Sequence, residues 1–135
     1  MKKLIALLFL TGIMTINLSA NGIVEEKDIP DTEIQFVLPG ILIGTFQFPQ
    51  DNIVKNISRS LEIYENNKYI LRHAGPDYAR NDYGYIILEN NDYYFLPIDG
   101  NLIHNKTKIT FNKNGFSFIG FLNIEYFAVK EIKYE

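Results

Sequence analysis

Between Gly40 and Lys130 apolar side chains recur at every second position in short runs, and Asn, Gly, Asp and Pro separate one run from the next. Period two is the repeat of a β-strand, whose side chains point to opposite faces by turns. A helix would need apolar residues three and four apart, and no convincing stretch of that kind follows the first twenty residues. The chain is therefore expected to be all-β, a single antiparallel meander of seven or eight short strands.

Turn chemistry predicts three hairpins. Asn114-Gly115 suits a two-residue type I′ turn, which would set Lys113 against Phe116 and Phe111 against Phe118. Ile109, Phe111, Phe116 and Phe118 would then share one face, opposite Thr110, Asn112 and Ser117. In the second hairpin a three-residue loop, Glu65 to Asn67 with Asn67 left-handed, pairs Leu61 with Leu71 and Ile63 with Tyr69. A two-residue loop there would mix the faces, because a one-residue slip reverses them. Glu62, Tyr64, Lys68 and Arg72 gather on the opposite side, and His73 points with the core residues.

The third hairpin repeats the second in sequence, Ile63 to Tyr69 matching Ile87 to Tyr93. Both of its faces are apolar: Tyr83, Tyr85 and Ile87 line one, Ile86 and Leu88 the other. Such a hairpin is covered on both sides or offers one side to a partner.

The chain start reads as a cleavable signal peptide over residues 1–20. Lys2 and Lys3 precede an apolar core from Leu4 to Ile16, and Leu18-Ser19-Ala20 offers a small residue at the cut. Residues 21–39 are expected as a flexible acidic lead-in, and 40–135 as the barrel domain. The protein is then exported, periplasmic or secreted, and does not span a membrane once the signal is removed, since the apolar stretch is short for a bilayer. Losing Lys2 and Lys3 leaves 11 basic against 16 acidic residues, so a nucleic-acid partner is not expected. With no cysteine there are no disulfides or thiolate sites, and the core alone must hold the fold.

Short strands joined by tight turns close most simply into a small up-and-down barrel, which removes exposed edges. Gly44-Thr45-Phe46, the strand Ser60-Leu61-Glu62-Ile63 with its Asn turn and return at Tyr69, and Tyr83-Gly84-Tyr85-Ile86 resemble the lipocalin-like (calycin) barrels of bacterial envelopes over about residues 40–130. Phe46 stands where that family usually has tryptophan. The resemblance implies a small apolar ligand held inside the barrel. An outer-membrane barrel would require longer strands, of about 9–11 residues.

Few residues invite chemistry. His73, at a strand end before Asp77 and Asp82, is a possible inward polar residue, and more simply a histidine bonded to a nearby loop than a proton carrier. His104 lies in a polar loop. Two histidines without cysteine or a spaced carboxylate set make neither a metal site nor a catalytic one, and no cofactor is expected. The tyrosines Tyr78, Tyr83, Tyr85, Tyr93 and Tyr94 are the candidate ligand or partner surface, because tyrosine buries area while its hydroxyl keeps a polar contact. Two roles follow, both non-enzymatic: an envelope protein binding a small apolar ligand, or an interaction module, inhibitor or complex subunit, using the 83–98 hairpin. An enzyme built on His73 ranks last.

Overall fold

The computed structural model describes residues 24–32, 36–49, 58–75, 78–100 and 102–131. The signal peptide expected over residues 1–20 lies outside them, as do 50–57 and Asp77. Among the described residues nine antiparallel strands form one sheet: β1 (Gly44–Gln47), β2 (Ser58–Ile63), β3 (Lys68–Gly75), β4 (Tyr78–Glu89), β5 (Asp92–Asp99), β6 (Thr107–Lys108), β7 (Thr110–Asn112), β8 (Gly115–Ile119) and β9 (Glu125–Lys130). Their order is β6-β5-β4-β3-β2-β1-β9-β8-β7, a meander whose last hairpin returns to β1. β6 and β7 are two halves of one stretch that changes partners at Ile109. Thr107 and Lys108 pair with β5, Thr110 to Asn112 pair with β8, and the Ile109 N–H donates to the Tyr93 carbonyl at 2.8 Å. This shared stretch joins the two outer strands of the order, so the expected small barrel is present and nearly closed. Among the described residues there is no α-helix, only short 3₁₀ turns at Glu26–Asp28, Gly40–Leu42 and Phe121–Asn123.

The β2–β3 hairpin has the expected register, Leu61 opposite Leu71 and Ile63 opposite Tyr69. Asn67 is left-handed, at φ 72°. Its carbonyl accepts the Ile86 N–H at 2.7 Å, which ties the loop to β4. The near-identical sequence at Asn90-Asn91 folds differently. Both residues have positive φ, and Glu89 pairs directly with Asp92, as in a two-residue type I′ turn. The same letters take two loop lengths because the alternation in the flanking strands selects the register.

The 109–119 hairpin corrects the expected turn. Asn112 pairs with Gly115 and Phe111 with Phe116, so Lys113 and Asn114 form the loop. The pairing is displaced by two residues from the expected one, an even step that keeps the same side chains on each face. Gly115 serves the sheet instead of the turn. A β-carbon there would lie 2.0 Å from the Ala128 carbonyl oxygen of β9. Asn112 closes the loop through its side chain, which accepts the Asn114 N–H at 3.0 Å.

The barrel interior is packed with rings. Phe95 lies 4.9 Å from Tyr69, 5.2 Å from Phe118 and 6.1 Å from Phe116, centroid to centroid. Phe46 stacks edge-on to Phe116 at 4.9 Å. Leu38, Leu42, Leu61, Ile63, Leu71 and Ile86 complete the wall contacts. Leu102 and Ile103, just before the His104 loop, are buried in this same core.

Candidate functional site

Alternation places the five tyrosines on more than one surface. Tyr83, Tyr85 and Tyr94 belong to the outer apolar face of β3–β5, with Ile70, Ile87, Leu96 and Ile98. Tyr93, one residue from Tyr94, must point the other way. It packs at the barrel mouth between Phe36, at 6.1 Å, and Phe111, at 6.0 Å. Tyr78 begins β4 opposite Gly75. The structure thus brings three of the five predicted site residues onto one face.

That face is partly covered. Residues 24–31, within the segment expected as a flexible lead-in, lie across β3 and β4 as a strap. Val24 and Ile29 are each only 1% exposed and pack into the outer cluster. Polar ties hold the backbone of the strap. The Arg72 guanidinium donates to the Val24 carbonyl at 3.0 Å, the Lys68 ammonium to the Glu26 carbonyl at 3.4 Å, and the Tyr85 hydroxyl to the Pro30 carbonyl at 2.6 Å. Lys68, with a side chain only 4% exposed, also pairs with Asp31 at 2.7 Å. A buried ammonium needs such a partner, since its desolvation is otherwise costly. Burial, and next the Asp31 charge, push the Tyr85 hydroxyl up to about 12. Arg72 is held from the other side by Glu62, at 2.8 Å. The strap covers β3 and β4, and Tyr94, Leu96 and Ile98 of β5 remain half-exposed beyond it. Sequence reasoning located the apolar face but missed its cover. The available signal was Val24 and Ile29, two aliphatic residues in an otherwise polar stretch.

His73 points inward as expected and is buried. Its Nε2 lies 3.3 Å from the Asp82 Oδ1, within ion-pair range but without hydrogen-bond alignment. Asp82 is fully buried, and its Oδ2 accepts the Leu102 N–H at 2.8 Å and the Ile103 N–H at 3.1 Å. Burial, and next the charges of Asp82 and Asp99, push the Tyr69 hydroxyl well above its ordinary value. The interior polar cluster anchors the 102–103 segment. His104 is exposed, as expected.

Two open clefts are also present. One, of about 570 Å³, runs along the barrel seam between Lys106, Thr107, Ile119 and Asn123. The other, of about 530 Å³, lies beside Asn66 and Asp31. Neither is lined by His73 or Asp82. Large apolar side chains are exposed around the β8–β9 connection, Leu122 most of all at 72%, with Phe121, Ile119 and Ile124 near half. Among the described residues no group of three or more His, Cys, Asp or Glu could hold a metal ion. Among them also, no helix is long and apolar enough to cross a membrane.

The fold is that of a small, nearly closed antiparallel β-barrel. No family model and no curated protein matches the sequence. Among solved structures the chain is similar to the crystal structure of a lipoprotein, YedD, from Klebsiella pneumoniae subsp. pneumoniae MGH 78578. The TM-score is 0.48 and the identity 12%, over 74% of this chain and 82% of that one. A likeness of that degree bears on no residue of the site.

Proposed function

We propose that this chain is an exported, non-enzymatic interaction module of the cell envelope, binding a protein partner through the outer face of β3–β5. The observation that carries this reading is the filled interior. A small-molecule container needs a cavity of roughly 300 Å³ or more, and the rings of Tyr69, Phe95, Phe116 and Phe118 pack along the interior instead. The outer face supplies what a partner site needs: aromatic and aliphatic side chains, partly exposed, beside arginine and lysine. The burial of His73 and Asp82 supports a structural role for both. Export rests on the charge and hydropathy pattern of residues 1–20.

Native mass spectrometry of the processed protein, purified from its own host, tests the reading. A retained polypeptide supports it. A retained ligand of lipid mass returns the lipocalin-like role that the sequence resemblance implied, and a bare barrel counts against both.

A further inference from the structure

We infer that the outer face of β3 and β4 is a peptide-binding groove, occupied at rest by the chain's own residues 24–31 and able to take a similar acidic segment from a partner protein. The inference deepens the interaction role proposed above and rests on it.

The chemistry of the groove is visible in its present occupant. Arg72, Lys68 and Tyr85 donate to the carbonyls of Val24, Glu26 and Pro30. Carbonyls are common to every peptide, so these three donors read a backbone path and leave the side-chain sequence open. Selectivity comes from two features. Val24 and Ile29 occupy apolar positions five residues apart, among Ile70, Tyr83, Tyr85 and Ile87. Asp31 supplies the negative charge that the buried Lys68 requires. A matching segment therefore carries two aliphatic residues at that spacing and an acid two positions after the second.

The occupant is also removable. Besides the carbonyls taken by Arg72, Lys68 and Tyr85, the strap bonds within its own turn, Asp28 N–H to the Glu25 carbonyl and Ile29 N–H to the Glu26 carbonyl. It is not a member of the strand order, so lifting it breaks no ladder. The apolar face continues past the strap onto Tyr94, Leu96 and Ile98, which gives a competing segment a place to land before the strap leaves.

The test uses the full mature chain. Ile29→Asp places a charge in an apolar position and should release the strap with the groove intact. Hydrogen exchange at residues 24–31 reports release, and near-ultraviolet circular dichroism reports the barrel. Val24→Asp serves if the first variant does not fold. The probe is a fluorescein-labelled peptide of residues 24–32. Binding at least tenfold tighter to the released variant than to wild type is expected, with a loss of fivefold or more on adding Lys68→Met. The groove assignment is overturned if the released variant ignores the peptide, if Lys68→Met leaves binding unchanged, or if release only produces dimers. Should the peptide fail while wild type still retains a host polypeptide, the groove assignment falls and the interaction role stands.

Discussion

The Oδ2 oxygen of Asp82, with no surface exposed to solvent, accepts the amide proton of Leu102 at 2.8 Å, twenty residues along the chain. With the second bond to Ile103, this carboxylate fixes the segment whose two aliphatic side chains fill the core beneath the seam. Charge-assisted bonds of this kind contribute about 1.5–3 kcal/mol each. Asp82→Ala is expected to cost about 3 kcal/mol or more, read from the denaturant midpoint, with faster amide exchange at Leu102 and Ile103. Uniform protection at those two amides in the variant would contradict the anchoring role.

Asn114 and Gly115 separate a turn role from a packing role. Were this pair a type I′ turn, glycine at 115 would matter only for its φ. Here a β-carbon at 115 meets the Ala128 carbonyl oxygen at 2.0 Å, and backbone cannot move aside as a flexible side chain can. Gly115→Ala should therefore destabilise by more than about 2 kcal/mol, as strongly overpacked sites do. Asn114→Ala should stay within about 1 kcal/mol, the usual range for an exposed turn position. Comparable losses from both would restore the turn reading.

Leu122 is strained and exposed together. Its φ of 60° and ψ of 22° are left-handed, where an L residue with a Cβ pays about 1–2 kcal/mol. Nothing is recovered through burial, since the side chain is 72% exposed. Leu122→Gly is expected to raise the melting temperature, a stabilisation of about 1 kcal/mol once the extra freedom of glycine in the unfolded chain is counted. A lowered melting temperature would mean that the leucine side chain stabilises the fold.

The buried hydroxyls set an alkaline limit. Burial, and next the Glu62 charge, raise Tyr64 to about 12, matching Tyr85, and burial also holds Tyr69 well above its ordinary value. Below the ordinary tyrosine value near 10, folded and unfolded chains both keep these protons and pH has no effect through them. Between about 10 and 12 the unfolded chain releases protons that the folded chain retains, so stability falls as pH rises. Phenolate absorbance should show these tyrosines silent to pH 11 and appearing together with unfolding. Smooth titration of all nine tyrosines near pH 10 in the folded protein would refute this.

The hairpin from Ser58 to Gly75 was readable because two signals agreed: the loop residues permitted a left-handed Asn67, and only one register kept Leu61, Ile63, Tyr69 and Leu71 on one side. At Asn114-Gly115 the turn signal competed with a demand no local pattern contains, the approach of β9. The tyrosine surface failed as a unit for a local reason, since neighbours such as Tyr93 and Tyr94 cannot share a face. The strap failed for a distant one. Its burial depends on Ile70 and Tyr85, some forty to sixty residues away in sequence, whose outward direction becomes meaningful only when the barrel exists.

The change of partners at Ile109 makes six residues the keystone of the ring. β1 meets β9 on one side of the ring, whereas on the other side the link between β5 and β8 depends on 107–112 serving both. Proline at 109 would delete the N–H given to Tyr93. Two unpaired margins, β5 and β8, would then be open to edge-to-edge pairing with other strands.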